Sequence, residues 1–217
     1  MQGCFGGQHF SNIISLDLDT CEWSRVTSTG RQPGARDSHT ATLVGRCMLV
    51  FGGTDGVQKV NDFHVLDLDD LTWSTPTVTG TPPKARESHS ATLVGSDKLV
   101  VFGGSAEGEG NYLNDVHILD VTTMTWHSPQ VQGEGPSRRD SHAAASVGHR
   151  LVVLGGDCGE QYLGKQNDKD CLSADEDSMS GKLRRMRCSE FYRFMLEQHH
   201  MCRLLGVNHT SNADSVR

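Results

Sequence analysis

The sequence predicts an all-β fold built from a repeated sheet of four short strands. Three independent markers recur with a period of about 50 residues: a single Trp, a Gly-Gly pair, and an Arg followed three positions later by a His. The Trp residues are Trp23, Trp73 and Trp126, and the Gly pairs are Gly6-Gly7, Gly52-Gly53, Gly103-Gly104 and Gly155-Gly156. The Arg–His pairs are Arg36/His39, Arg86/His89 and Arg139/His142. Because the three markers share one period, we interpret the chain as a set of structural repeats.

Each repeat contains four segments with the length and pattern of strands. In the first full repeat they are His39–Val44, Cys47–Phe51, Asp62–Leu68 and Thr72–Val78. The first segment alternates polar and apolar residues up to a glycine, and the second is an apolar run stopped by Gly-Gly. Segments of about 4–8 residues that are rich in β-branched residues and separated by Gly favour strands over helices.

The constant residues have structural interpretations. A four-stranded sheet with two apolar faces has to stack on a neighbouring sheet, and radial repetition provides such a neighbour. Gly-Gly suits a sharp turn or the close approach of another element, since Gly adopts positive φ and has no Cβ. The Trp of each repeat is expected to pack between neighbouring sheets.

The openings of the repeats carry a family resemblance. Pro33–His39 and Pro83–His89 read Pro-x-Ala-Arg-[Asp/Glu]-Ser-His, and Pro136–His142 differs by having Arg138 in place of the Ala. With the Gly-Gly, Asn-Asp, Leu-Asp and Trp that follow, these openings resemble kelch repeats, as in plant-type kelch proteins, Rab-effector-like kelch proteins and the kelch half of acyl-CoA-binding proteins. The resemblance covers about residues 2–160. It implies a β-propeller, which in kelch proteins usually has six or seven blades.

The repeats are too few for a closed propeller, since propellers contain about four to eight blades. Residues 1–158 are expected to form the kelch-repeat segment, with a partial blade at 1–30, blades at 31–80 and 81–133, and a partial blade at 134–158. We therefore expect an incomplete kelch β-propeller of about two full and two partial blades, from a truncated or alternatively spliced product. Its open blade edges would bind a partner, self-associate or aggregate.

Residues 159–217 form a divergent C-terminal tail without a clear repeat. Asn167-Asp168 falls 53 residues after Asn114-Asp115, but Lys169 and Cys171 stand where apolar strand residues are expected. A degenerate third strand and an unrelated tail both stay open, and the unrelated tail is favoured. Within the tail, residues 165–180 are polar and are predicted to be disordered, and residues 182–205 are predicted to form a helix.

The recurring Arg and His residues each have two interpretations. The three Arg are candidates for a ring that binds an acidic peptide, but pairing of each with a carboxylate between blades is favoured, because the residue recurs in every repeat. The three His are interpreted as packed, hydrogen-bonded strand residues, since no second ligand follows them at zinc spacing. We therefore predict no metal site in the repeats.

Neither a zinc site nor an enzyme is expected elsewhere in the chain. His199, His200, Cys202 and His209 in the tail lack a Cys-x-x-Cys pair, so a chance cluster is favoured. The copper set of galactose oxidase and the Glu, Asp and His iron set of plant nitrile-specifier proteins cannot be carried over, because their residue patterns are missing. No catalytic residue and no cofactor is predicted.

Composition and charge give predictions about the kind of partner and about the cellular compartment. The formal net charge of −7 argues against nucleic acid. The N-terminus lacks the pattern of a signal peptide, and no apolar run reaches about 18 residues, so no membrane span is predicted. The seven Cys show no disulfide framework and fit reduced thiols. We predict a cytoplasmic protein that can also be nuclear. The basic cluster Lys182–Arg187 is a candidate nuclear signal or membrane-surface patch, although a solvated helix face is favoured for it.

Binding of a protein or peptide partner through blade loops is the leading functional prediction. The segments that differ most between repeats are the loops Thr54–Lys59 and Ser105–Tyr112 and the linkers Val78–Lys84 and Val131–Ser137. Loops on a rigid scaffold commonly carry function. The partner-binding candidates are Thr54, Asp55, Lys59, Lys84, Ser105, Glu107, Glu109, Tyr112 and Arg138.

Two alternatives are kept beside this prediction. The first is a fragment of a larger kelch protein whose missing domain binds a ligand such as acyl-CoA or acts in trafficking. The second, more distant, is a metal-dependent kelch enzyme.

Overall fold

The computed structural model describes residues 4–108 and 110–158, all within one compact unit, Met1–Cys171. The described residues form strands and turns without a helix, so the predicted all-β class is confirmed. Glu109 and the tail, with its predicted disorder at 165–180 and helix at 182–205, lie outside the described residues.

The N-terminal partial blade contains two small antiparallel sheets. β1 (Cys4–Phe5) pairs with β2 (Gln8–His9), and β3 (Ile13–Leu16) pairs with β4 (Trp23–Val26). Between these four described strands no pairing joins one sheet to the other.

The first complete blade is a five-stranded sheet. β5 (Thr29–Gly30) lies at one edge, and the other four strands are β6 (Thr40–Val44), β7 (Cys47–Phe51), β8 (Phe63–Asp67) and β9 (Thr72–Ser74). Their order in the sheet is β5-β9-β8-β7-β6, so four strands form an antiparallel meander and β5 adds to β9 in parallel.

The second complete blade repeats this order, and a partial blade follows it. The second blade contains β10 (Thr79–Gly80), β11 (Ser90–Val94), β12 (Lys98–Phe102), β13 (Val116–Asp120) and β14 (Thr125–His127), in the order β10-β14-β13-β12-β11. β15 (Ala143–Val147) and β16 (Arg150–Leu154) form a two-stranded sheet, which corresponds to the first half of a third blade. β6, β11 and β15 are neighbours in space, which makes the architecture an incomplete propeller.

The fifth strand of each complete blade was not predicted from the sequence. The linker Val78–Lys84 was expected to be a loop, but its Thr79–Gly80 pairs in parallel with Thr125 and Trp126 of the next blade. The strand before it is correspondingly shorter than predicted, because it ends at Ser74 instead of Val78. After the last strand of one blade's meander, the chain therefore first adds a short strand to the sheet of the next blade, and only then forms the meander of that blade.

A glycine is required in this fifth strand. Gly30 and Gly80 have φ values of 79° and 77°, and a Cβ at either position would overlap the carbonyl oxygen of the paired Trp, Trp73 or Trp126. A hydrogen bond between the Thr29 and Thr72 hydroxyls, and another between those of Thr79 and Thr125, aligns the paired strands. The Thr-Gly pair is therefore a fourth constant feature of the repeat.

The repeated Trp packs against the preceding blade. Trp126 is 2% exposed and lies against Phe51 and Phe63, with ring centroids 5.5 Å and 6.5 Å away. Trp73 is 5% exposed and packs with Ile13 of the N-terminal partial blade. The packing expected for Trp23 is not found. This side chain is 67% exposed, since no described blade precedes it.

Replacing Gly80 by Ala tests the parallel pairing of β10 with β14. We expect Gly80→Ala to lower the free energy of unfolding by about 3 kcal/mol, because a Cβ adds an overlap with a backbone oxygen to the strain of positive φ. Gly108→Ala is the control, since Gly108 also has positive φ but a Cβ there would meet nothing within 4 Å. We expect the control to cost about 1 kcal/mol. If urea denaturation shows that both variants lose the same free energy of unfolding, the close pairing of Gly80 with Trp126 is contradicted.

Candidate functional site

All three repeated Arg residues are buried, and two of them, Arg36 and Arg86, bind a carboxylate of their own repeat. In the second complete blade, the Arg86 guanidinium donates to both carboxylate oxygens of Asp115 at 2.8 Å and to the carbonyl of Gly103 at 2.9 Å. Arg36 makes the same contacts with Asp62 and Gly52. The expected carboxylate is thus present, but it lies in the same blade and not in a neighbouring one. These guanidinium groups are occupied and do not form a peptide-binding ring.

The Arg–Asp pairs overcome the cost of burying the carboxylate. Burial acts to raise the pKa of Asp115, but hydrogen bonds from Arg86 and His117, together with their charges, hold that pKa well below its usual range. The same balance of causes holds for the pKa of Asp62 beside Arg36 and His64. Bidentate, charge-assisted hydrogen bonds are strong enough to fix both planar groups in one geometry.

Arg139 occupies the third position without such a carboxylate among the described residues. Its guanidinium is buried and donates to the Gly155 carbonyl at 2.9 Å and to the Ser137 hydroxyl at 2.9 Å. Asp168, 29 residues after Arg139 as Asp115 is after Arg86, lies outside the described residues.

The Gly-Gly pairs receive the Arg–His segment of the next repeat. The Gly53 amide donates to the Arg86 carbonyl at 2.9 Å, and the Gly104 amide donates to the Arg139 carbonyl at 2.9 Å. A Cβ on Gly52 would meet this same Arg86 carbonyl and the His89 ring at 2.8 Å. Gly52-Gly53 and Gly103-Gly104 are therefore contact points between blades, in agreement with the close approach expected from the sequence.

Two of the three repeated His residues, His89 and His142, join the first strands of adjacent blades. The Nε2 atom of His89 is 2.9 Å from the Thr40 hydroxyl, and that of His142 is 2.9 Å from the Ser90 hydroxyl. Burial lowers the pKa of His89 to about 3, with further lowering from the charge of Arg86. Burial likewise lowers the pKa of His142 to about 4. Both rings are neutral at physiological pH, in line with structural residues.

Three partner-binding candidates meet in one cluster beside the Gly-Gly turns. The Lys59 ammonium donates to the Ser105 hydroxyl at 2.6 Å, and the Lys59 amide donates to the Glu107 carboxylate at 2.6 Å. The ammonium also forms an ion pair with Glu87 at 3.1 Å, and the Lys59 side chain is only 15% exposed. Lys59 therefore joins the loops of two blades and is largely unavailable to a partner.

The residue equivalent to Lys59 contacts the acidic residue that follows the repeated Arg of the next repeat, and this holds at the first two junctions between blades. His9, which corresponds to Lys59, lies 2.8 Å from Asp37, which corresponds to Glu87. At the third junction Tyr112 takes this position, and burial raises its pKa, followed by the charges of Asp140 and Asp157. Sequence analysis missed this pairing because the position holds three different residue types. The position could have been found from the apolar residue that follows it in each repeat, which is Phe10, Val60 or Leu113.

The remaining candidates lie at the surface or at its margin. Asp55 and Glu107 are exposed, as are Lys84 and Arg138, while Thr54 and Tyr112 are half-buried. The Asp55 carboxylate caps its own loop, since it accepts the Val57 and Gln58 amides at 2.9 Å and 2.8 Å. These hydrogen bonds lower the pKa of Asp55, so this exposed carboxylate stays ionised near neutral pH.

Carboxylates are concentrated around the loops of the two complete blades. Half-buried acids lie at the start of both loops, since Asp37 pairs with Thr54 and Glu87 pairs with Ser105. Two more half-buried acids, Asp140 and Asp157, pair with each other at the next repeat. Burial raises the pKa of Asp140, and the neighbouring charges of Asp157 and Glu87 raise it further. We call Asp55, Glu107 and the loops that carry them, Thr54–Lys59 and Ser105–Tyr112, the acidic loop surface.

Two further findings concern only the described part of the chain. There, no group of three or more His, Cys, Asp or Glu side chains could hold a metal ion. No helical segment among residues 4–108 and 110–158 has the length and hydropathy needed to cross a bilayer.

The sequence matches a family model described as the KLHDC2/KLHL20/DRC7 Kelch-repeats domain over residues 3–156 and again over residues 69–207. The chain is 35% identical over 145 residues to the Acyl-CoA-binding domain-containing protein 5 of Arabidopsis thaliana, with 66% of this chain and 22% of the relative covered. It is 34% identical over 165 residues to the Rab9 effector protein with kelch motifs of Bos taurus, with 74% and 44% covered. Kelch domain-containing protein 3 of Rattus norvegicus is 34% identical over 144 residues, with 66% and 24% covered. The chain therefore spans less than half the length of these relatives.

The buried His residues predict an acid-sensitive fold. The pKa of His89 is about 3 in the folded state and about 6.5 in the unfolded state. Between pH 3 and pH 6.5 the unfolded state therefore binds more protons than the folded state. Stability should therefore be complete above pH 6.5 and fall by up to about 1.4 kcal/mol per pH unit below it for each such His. We expect His89→Gln to reduce this slope between pH 6.5 and 5 in urea denaturation.

The control for this measurement is His127→Gln, which removes an exposed His of the second complete blade. This variant should keep the wild-type pH dependence. An unchanged slope in His89→Gln would contradict the assignment of the acid sensitivity to the buried ring.

Proposed function

This chain belongs to the kelch-repeat family, and from that premise we propose that it is a protein-interaction module that binds a partner segment through the acidic loop surface and catalyses no reaction. The observation that carries this proposal is that some charged residues are paired inside the structure, whereas the carboxylates of two loops are exposed. The Arg–Asp pairs and Lys59 are occupied within and between blades. Asp55 and Glu107 keep exposed carboxylates on adjoining loops.

The chemistry of this surface favours a basic partner. The chain carries a formal net charge of −7, and the one Lys within the acidic loop surface is paired with Glu87. A segment with Lys or Arg would form charge-assisted hydrogen bonds with Asp55 and Glu107. Such complementarity raises the association rate and selects against acidic competitors.

The rigid frame beneath the loops supports this assignment. Each loop starts at a Gly-Gly turn that is hydrogen-bonded to the next blade, so the loop ends are fixed. A fixed loop loses little conformational entropy on binding, which improves affinity. Cytoplasmic placement, with the nucleus as the alternative, stays a prediction from the sequence.

A second candidate function follows from the lengths of the relatives. The Arabidopsis relative is named as an acyl-CoA-binding domain protein and the bovine relative as a Rab9 effector, and this chain covers 22% and 44% of them. We keep as the alternative that this chain is the kelch part of a larger protein that binds a ligand such as acyl-CoA or acts in trafficking. Its own role there would still be to bind a protein partner.

Selection of peptides tests the proposed function. A random peptide library displayed on phage and selected on the immobilised full chain should enrich peptides rich in Lys and Arg. The double variant Asp55→Asn/Glu107→Gln should weaken the Kd of a selected peptide by at least about tenfold, since each lost charge-assisted hydrogen bond is worth about 1.5–3 kcal/mol. Fluorescence anisotropy measures this change.

Both substitutions retain the hydrogen-bond acceptors that shape the loops, so the folded loops should persist. Glu22→Gln, which neutralises an exposed acid of the N-terminal partial blade, is the control and should leave the Kd unchanged. Enrichment of acidic or neutral peptides, or equal Kd values for the double variant and the control, would count against the acidic loop surface.

A further inference from the structure

The linker between the two complete blades ends in the sequence Thr81-Pro82-Pro83-Lys84. It leads from β9 through β10 to β11, the first strand of the second complete blade. The blades on both sides of the linker are described, apart from Glu109 in one loop. The exposure of its residues therefore follows from the two flanking blades and not from either end of the described chain.

Steric rules restrict the backbone of this segment. A residue that precedes proline is held away from the helical region, and this applies to both Thr81 and Pro82. Pro82 and Pro83 also have φ restricted to about −65°. We therefore expect the polyproline II conformation, which has about three residues per turn, so that Thr81 and Lys84 share one face.

The burial of the four residues agrees with this geometry. Thr81, Pro82 and Lys84 are exposed, whereas Pro83 is fully buried. The Asn61 side chain donates to the Pro83 carbonyl at 3.1 Å, which holds the segment against the first complete blade. Among the residues that the structure describes, the Thr81 hydroxyl and the Lys84 ammonium have no hydrogen-bond or ion-pair partner. Both groups are accessible to an enzyme.

Two other hydroxyl residues of the sequence also precede a proline, in Thr75-Pro76 and Ser128-Pro129. The third residue after the hydroxyl is Val in both, where Thr81 has a Lys. The Thr75 hydroxyl lies 3.4 Å from the His64 ring, and the Ser128 hydroxyl lies 2.9 Å from the His117 ring. Thr81 therefore differs from both in having a free hydroxyl and a cation on the same face.

We propose that Thr81 is a phosphorylation site for a proline-directed protein kinase that also reads a basic residue three positions after the hydroxyl. Pro82 lacks an amide hydrogen, so it suits a kinase cleft that offers no acceptor at that position. The Lys84 ammonium suits an acidic group of the kinase. The three positions that such a kinase contacts are the three exposed ones, and Pro83, which it does not read, faces inward.

The transfer consumes ATP. The Thr81 Oγ1 atom bonds to the γ-phosphorus of ATP, the bond from that phosphorus to the oxygen shared with the β-phosphate breaks, and ADP leaves with the bonding electrons. The hydroxyl proton passes to the catalytic Asp of the kinase. The product carries about two negative charges at pH 7 on the face that presents Lys84.

The added charge lies beside the acidic loop surface. Asn61, which binds the Pro83 carbonyl, comes two residues after the end of the loop Thr54–Lys59. Phosphorylation therefore extends the negative surface from this loop to the linker. The site itself is independent of the proposed function, since transfer of phosphate to Thr81 needs no partner peptide.

Incubation of the folded full chain with a recombinant cyclin-dependent kinase and ATP tests the site. Intact-mass spectrometry should show one added phosphate per chain, and fragmentation of the peptides should place it on Thr81. Thr81→Val should abolish the mass gain, because Val keeps the β-branched shape and lacks the hydroxyl. The matched controls Thr75→Val and Ser128→Ala should take up one phosphate, as the wild type does.

Lys84 provides a second test. Lys84→Gln should lower the initial rate of phosphate transfer at least about tenfold, because one charge-assisted hydrogen bond to the kinase is lost. Lys84→Arg retains the charge and should keep the wild-type rate. Since Lys84 is exposed, urea denaturation should be the same for both variants and the wild type, which separates recognition from folding.

Four results would overturn the proposal. The folded wild type would take up no phosphate, or the phosphate would lie on Thr75 or Ser128 in place of Thr81. Transfer to Thr81 only after the chain is unfolded in urea would mean that the folded linker is closed to a kinase. A wild-type rate for Lys84→Gln would mean that Lys84 is not read.

Discussion

The passage of the segments Arg86–His89 and Arg139–His142 across the Gly-Gly turns of the preceding repeats is the constraint on which the rest of the structure depends. At these two junctions the Gly amide, the Arg carbonyl and the His ring approach so closely that no side chain fits between them. In the second complete blade the Arg86 side chain is then fixed from the other end by the carboxylate of Asp115 in the same blade. One short motif therefore sets both the position of the blade and its contact with its neighbour.

This constraint separates structural residues from residues that are free to bind. The Arg36 and Arg86 side chains bind carboxylates of their own blades, and His89 and His142 bind hydroxyls of the preceding blade, although their charge or chemistry made them candidates for ligand binding. The loops that start at the Gly-Gly turns are held at their ends, so their exposed carboxylates, Asp55 and Glu107, are presented on a rigid base.

Much of this architecture could be predicted from the sequence because its physical causes are local and repeated. Strand positions followed from apolar runs between glycines, and the burial of Trp73 and Trp126 followed from the need to stack two-faced sheets. The Thr79–Gly80 strand could not be predicted from strand pattern, since two residues carry no periodicity and the pairing is with a distant blade. The pairing of Lys59 with Glu87 was missed for another reason. The two residues belong to different repeats, and the residues equivalent to Lys59, His9 and Tyr112, differ from it in chemistry.

The most direct test of the junction is hydrogen exchange of the Gly53 and Gly104 amides in the native full chain, measured by NMR. Both donate across a junction, to the carbonyls of Arg86 and Arg139. If the junctions hold the blades together, these two amides exchange only when the whole kelch segment unfolds, and their protection equals the global free energy of unfolding. Exchange of either amide through local opening, at a free energy several kcal/mol below the global value, would contradict the account.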